Sequence, residues 1–307
     1  MRKYILLFSL LPTILQGQND STSIHKGRLV LVGSGAASVL AGSYVYVQKS
    51  WWSDISTDFH FDDGSDLTYA LNVDKAGHFF GGVLVADMFQ GSLQWAGVKE
   101  KNTYLYGAAM GSFVQLGIEM KDAYAPYWGF SVWDFGAGAI GAFVPYAERY
   151  WGAMEYIDFK MSYCKRSNHY WDLGIAQKPY APPHPHAYQD DYVNQTYWFS
   201  FFPLRDKGHH LGISFGFGLD DTQYLDASNT KRGGNNEFYI ALDYDWYQLL
   251  EKWDTPIGKK VKRWLNYIKL PAPTTLFSSI VSGATNDEFE PINTLSFILV
   301  LLFFTPS

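Results

Sequence analysis

Apolar and polar positions change their spacing about half-way along the chain, and the change divides it into a helical and a β part. At the N-terminus Arg2 and Lys3 precede an apolar run, Tyr4 to Leu15, that is too short to span a bilayer. A polar stretch follows, which is the layout of a secretory signal over residues 1–17, with Gly17 as the small residue before a cut. Leu29 to Val47 is uncharged and has the length of a bilayer-spanning helix, bounded by Lys26 and Arg28 on one side and Lys49, Trp51 and Trp52 on the other. A transmembrane helix is therefore expected over 28–48. The next stretch is polar. Asp62, Asp63 and Asp66 surround Gly64 without the twelve-residue ligand pattern of a calcium loop, so a solvated turn is expected. Three helices then follow, from about Asp74 to Gly97, Thr103 to Asp122 and Ser131 to Trp151. Gly77 and Gly81, Gly107 and Gly111, and Ala137 and Gly141 repeat a four-residue spacing of small residues. Such spacing weakens a lone helix but lets packed backbones approach closely, in lipid or in a dry bundle.

Beyond Trp151 the pattern changes. Residues 153–194 read as a linker, with His184-Pro185-His186 among prolines as an exposed segment rather than a metal site. Thr196 to Phe202, Leu211 to Gly218 and Phe238 to Trp246 have strand composition. In the last, Phe238, Ile240, Leu242, Tyr244 and Trp246 alternate with Tyr239, Ala241, Asp243 and Asp245, the mark of a half-buried antiparallel strand. The alternation resembles outer-membrane strands, but three strands cannot close a barrel, so a small sheet or hairpin packed on the helices is expected. Ile257, Val261, Trp264, Leu265 and Ile268 share one helical face beside Lys259, Lys260, Lys262 and Arg263. That helix suits either an anionic lipid surface or a cover for the sheet. A hydrophobic tail occupies 278–307. The expected fold is mainly α: a Gly-rich membrane-type helical bundle over 59–152, then a small antiparallel β extension with an amphipathic helix over 195–277.

Composition narrows the function. Aromatic residues make up 18% of the chain, and Trp and Tyr collect where a surface is apolar on one side and wet on the other. The formal charge of -6 gives no electrostatic reason to bind nucleic acid. The single cysteine, Cys164, excludes an internal disulfide and a cysteine-based zinc site. With the signal removed and four helices spanning, the loop bearing Lys99 and Lys101 faces outward, against the positive-inside rule.

Ionisable groups interrupt the three later helices. Asp74 and His78 lie one turn apart, with Lys75 beside them; Glu119 and Asp122 share a face near the end of the next helix; Asp134 follows Ser131, a candidate N-cap, at the start of the last. In a short antiparallel arrangement these groups converge at one end of the bundle. Two readings compete: His78 and the carboxylates form an acid–base or metal site, or the charges pair and pin the helix ends. Nucleophile-elbow, H-E-x-x-H, phosphate-loop and dinucleotide motifs are absent, and no cofactor is expected.

The ordered set Asp74-Lys75-Ala76-Gly77-His78-Phe79, Ile118 to Asp122, Trp128 to Asp134 and Ile140-Gly141-Ala142 resembles the YfiM-type family of predicted periplasmic lipoproteins, a domain of unknown function. Phe59-His60-Phe61 and Asn194 to Trp198 look like its longer Bacteroidetes members. More distantly, the same order resembles the VanZ-like membrane proteins linked to glycopeptide resistance. Two departures matter. The polar residue expected shortly after Asp134 is Gly138, which weakens a catalytic role, and the lipobox cysteine is missing, which leaves Leu29 to Val47 as the anchor. The resemblance implies a cell-envelope membrane protein with its C-terminal part periplasmic and a structural or interaction role. The alternative is a membrane-embedded enzyme or resistance factor acting on a lipid-linked or cell-wall substrate. Expected partners are membrane lipid and, beyond it, envelope proteins or cell-wall precursors.

Overall fold

The computed structural model describes residues 23–276 except 51, 53–55, 127, 166, 168–190, 221–223, 226–230, 233, 234, 271 and 273. The signal segment, the His184-Pro185-His186 motif and the tail lie outside the described residues. Four helices lead: α1 (Lys26–Ser50), α2 (Val73–Trp95), α3 (Glu100–Asp122) and α4 (Val132–Tyr150). Among the described residues α1 alone is long and apolar enough to cross a membrane, over Lys26–Tyr46. The fold is mainly helical, with one candidate span among the described residues. α1 is tied to the module at its start, where His25 N–H donates to the Ala96 carbonyl at 2.9 Å and Val32 packs on Leu93 and Ala96. Most of the rest of α1 is exposed.

The glycines of α2, α3 and α4 act as backbone contact points. A Cβ on Gly141 would sit 1.9 Å from the Phe79 carbonyl oxygen, and one on Gly82 would sit 2.1 Å from that of Gly138. Gly107 meets the Ala86 carbonyl and Gly111 meets Ala142 in the same way. Only hydrogen fits at these positions, so the three helices interlock closely enough to bring their ends together.

A 3-10 segment, Ser65–Asn72, leads into α2 through three successive left-handed residues, Ala70, Leu71 and Asn72, with φ of 43°, 50° and 66°. Such backbone costs about 1–3 kcal/mol at each non-glycine residue and persists only where the surroundings impose it. Here Ala70 and Val73 are buried with Tyr69, Val193 and Leu219, and the Asn236 amide donates to the Leu71 carbonyl at 2.9 Å. The bend folds Asp66 back against the first turn of α2.

Among the described residues the second half forms seven strands: β1 (Ile157–Tyr163), β2 (Gln195–Phe201), β3 (Leu211–Leu219), β4 (Tyr224–Leu225), β5 (Lys231–Arg232), β6 (Asn236–Tyr244) and β7 (Thr274–Leu276). β4 and β5 pair as a separate ribbon, and the others make one antiparallel sheet in the order β1-β2-β3-β6-β7. A short helix α5 (Trp246–Leu249) and α6 (Pro256–Leu265) follow β6. α6 is capped by Thr255, whose hydroxyl accepts from Gly258 N–H at 3.0 Å, and begins with Pro256 at a position that needs no donor.

Two expectations change. The segment read as a linker, 153–194, contributes β1, whose buried residues are Asp158, Lys160 and Ser162; a strand with charge on its inner side does not read as one. For the same reason β6 has the expected period but the opposite sidedness. Tyr239, Ala241 and Asp243 are buried, whereas Phe238, Ile240 and Leu242 are exposed. The inner face is polar and paired. Lys160 Nζ lies 3.0 Å from Asp243 Oδ2 and donates to the Tyr244 carbonyl, while the Ser200 and Ser214 hydroxyls donate to Asp243 at 2.6 and 2.9 Å. α6 and the turn after it cover this face with Trp264, Ile268 and Lys269. α6 is also tied to the helical module, where Arg263 forms a bidentate pair with Asp87 of α2.

Candidate functional site

All six sequence candidates, Asp74, Lys75, His78, Glu119, Asp122 and Asp134, lie near the same end of the module. With Asp66, Tyr69, Trp128, Ser131 and Tyr192, all but Lys75 line a cavity of about 70 Å3. Asp74, Lys75 and His78 come from the first turns of α2, Glu119 and Asp122 from the last turn of α3, and Asp134 from the first turn of α4. Ser131 is the N-cap of α4: its hydroxyl accepts from Asp134 N–H at 3.1 Å and donates to Asp66 Oδ2 at 2.6 Å. Its own N–H donates to Glu119 Oε2 at 3.0 Å, so one residue holds two carboxylates and the backbone of a third acid.

The cluster has two halves. Around Lys75, the ammonium reaches Asp66 Oδ2 at 2.7 Å, Asp74 Oδ2 at 3.1 Å and Asp134 Oδ1 at 3.1 Å. The last approach is close but lies off the hydrogen-bond direction, which leaves Asp134 Oδ1 without a donor. Around His78, Nδ1 meets Gln115 Oε1 at 2.8 Å. An amide oxygen only accepts, so Nδ1 is the donor in this bond. Nε2 points towards Asp134 Oδ2 at 4.0 Å, and Glu119 Oε1 lies 3.8 Å from Nδ1. Glu119 Oε1 and Asp74 Oδ1 are buried and accept no hydrogen bond.

These surroundings move protons onto the acids. Burial, then the nearby charges of Asp122 and Asp134, pushes the Glu119 carboxyl from an ordinary 4.5 up to about 10. Burial and then the charge of Asp134 holds Asp74 well above the carboxylate range, despite Lys75. Burial also raises Asp134, against the opposing influence of His78. For Asp66, burial is outweighed by hydrogen bonds from Lys75 and Ser131, and its carboxyl ends below the usual range. Lys75, ringed by acids, is raised further despite its burial. The site thus holds one ion-pair centre around Lys75 and, beside it, acids whose carboxyls burial raises.

The donor set has the chemistry of a cation site. One ligand atom each from His78, Glu119 and Asp134 lie within 4.8 Å of one another, and Asp66, Asp74 and Asp134 form a second such group. A histidine whose second ring nitrogen is held by a carbonyl, beside two carboxylates, suits a first-row divalent ion.

Two site residues escape sequence reading. Asp66 belongs to the acidic stretch expected to be a solvated turn. Asp62 does make that turn, accepting from Gly64 and Asp66 N–H, but Asp66 is folded inward by the strained segment after it. Gln115, mid-helix in α3, has no motif. Its signal is Gly138: a Cβ there would lie 2.3 Å from Gln115 Cγ. The position where the family resemblance leads one to expect a polar side chain on α4 is glycine because a polar side chain from α3 occupies that space. Trp52 joins from outside the helices, donating from Nε1 to Asp122 at 2.6 Å.

Residues 61–148, which carry all of this site except Trp52 and Tyr192, match the model of a family described as predicted periplasmic lipoprotein (DUF2279). The match supports a place in the cell envelope, on the periplasmic side. No curated protein and no solved structure matches the chain.

Proposed function

We propose that this chain is a membrane-attached envelope protein whose helical module holds a divalent cation between His78 Nε2, Glu119 and Asp134, and presents it to a polar envelope substrate at the mouth of the cleft. The observation that carries the reading is the buried Glu119 Oε1, which accepts no hydrogen bond and lies 3.8 Å from the imidazole, with Asp134 Oδ2 4.0 Å from Nε2 on its other side. The pinning role belongs to the other half, where Lys75, Asp66 and Ser131 tie α2, the 3-10 segment and α4 together. Substrates of the lipid-linked or cell-wall kind fit the family's location. In that role the ion would polarise a substrate oxygen or activate a water, and Glu119 would carry the proton.

The test is thermal unfolding of the full-length protein in detergent with Mn2+ or Zn2+. An ion at about one hundred times its dissociation constant stabilises the folded state by about 2.7 kcal/mol. The midpoint should rise in the wild type and stay unmoved by the ion in His78→Ala and Glu119→Gln. No rise in the wild type, or an undiminished rise in both variants, contradicts the site.

A further inference from the structure

The sheet is inside-out. On one face stand Ile157, Phe159, Met161 and Tyr163 of β1, Gln195, Tyr197, Phe199 and Phe201 of β2, the odd-numbered residues 211–219 of β3 and the even-numbered residues 236–244 of β6. None of these positions carries a charge. The opposite face holds Asp158, Lys160, Ser200, Ser214, Glu237 and Asp243, and it is the buried one. The sheet curls around this polar side. The turn after α6 bonds to the outer edge of β1 through Met161, and the same chain, a few residues on, pairs with β6 as β7. At one end the apolar face is covered by Tyr69, Val73 and Val193 packed on Leu219. The remainder is open, with Phe199, Phe201, Ile213, Phe215, Phe238, Ile240 and Leu242 all exposed. Water on that surface is unfavourable, and such patches mark an interaction site.

We infer that this convex face rests in the hydrocarbon edge of a lipid bilayer, as a monotopic surface separate from any span by α1. Three observations favour lipid over a protein occupant. Polar pairs inside and uninterrupted apolar side chains outside is the sidedness that lipid imposes on strands. The open end of the face is rimmed by the β2–β3 turn, where Lys207, His209 and His210 stand exposed beside a single exposed acid, Asp206. That polar rim, with the exposed Leu204, suits a headgroup layer over an acyl layer. The face is also continuous with the outside of the module. Gly141 of α4 touches Phe79, whose ring contacts Phe159 at 4.9 Å, which contacts Phe199 at 5.7 Å. An open sheet cannot cross a membrane, because its edges would lose their hydrogen bonds in hydrocarbon, so the face lies in the surface rather than spanning it.

Retention on membranes does not test this, since α1 alone accounts for it. The test places nitroxide labels, one at a time, in Cys164→Ser protein carrying Ile213→Cys, Phe215→Cys or Ile240→Cys. An inward control carries Ala241→Cys and an aqueous control Lys207→Cys. Each full-length variant is reconstituted in phosphatidylethanolamine–phosphatidylglycerol vesicles and first checked by circular dichroism. The expected result at 213, 215 and 240 is ready collision with oxygen and several-fold weaker collision with an aqueous nickel chelate than at 207. Free access to nickel at all three overturns the inference. So does poor access to both reagents, which means that residues 277–307 or a second copy cover the face. Three positions on two strands keep the test decisive if one variant misfolds. The outcome does not depend on the cation site.

Discussion

Glu119 is the residue whose state most affects the rest of the site. Its carboxyl binds a proton far more tightly in the folded chain, at about 10, than at its ordinary 4.5. A raised value means that the protonated acid favours folding. That contribution is full below pH 4.5 and is lost as the pH rises through the window to about 10, by up to about 1.4 kcal/mol for each pH unit. Glu119→Gln should therefore flatten the fall in stability between pH 5 and 9 in metal-free buffer, as read by denaturant unfolding at several pH values. An unchanged slope contradicts the burial argument. At this scale the sequence carried six of the site's residues, because a carboxylate or histidine inside a Gly-rich helix is conspicuous. It did not carry Gln115 or Asp66. The role of Gln115 depends on a space left by Gly138 on another helix, and the burial of Asp66 depends on left-handed backbone at Ala70, Leu71 and Asn72, residue types that do not announce it.

Packing decides the elements. Two glycines five residues apart in α4 make opposite predictions. Gly141 faces the Phe79 carbonyl, and Gly141→Ala forces backbone apart, at about 3 kcal/mol, the upper part of the range for overpacking. Gly136 has nothing within 4 Å of where a Cβ would stand, and Gly136→Ala should stabilise α4 by up to about 1 kcal/mol. Equal effects in chemical denaturation would contradict the interlocked bundle. In the sheet, Lys160→Ala strands Asp243 in the polar interior and should lower stability by roughly 3–5 kcal/mol, whereas replacing both by well-packed apolar residues should cost much less. Helix positions were legible because glycine spacing and capping are local. Strand sidedness was not: an alternating pattern states that two faces differ, while which face is buried depends on what covers it. Here Lys269 and Trp264, far along the chain, cover the polar one.

For the whole molecule, α1 supplies the one candidate span among the described residues, and the module and sheet lean on the rest of the chain through few ties to it. Carbonate-washed membranes should retain the full-length protein, and release into the wash would contradict an anchor. If α1 is an anchor, as proposed, it would hold the cleft of Glu119 and His78 beside a membrane, where the proposed cation would meet envelope substrates. That cation must displace the proton on Glu119. The most direct test is Mn2+ affinity measured calorimetrically across pH 5.5 to 8.5. The account predicts affinity that rises up to about tenfold per pH unit, below the Glu119 value of about 10, with about one proton released per ion, and a much smaller dependence in Glu119→Gln. Absence of Mn2+ binding, or binding indifferent to pH and to that substitution, would contradict it.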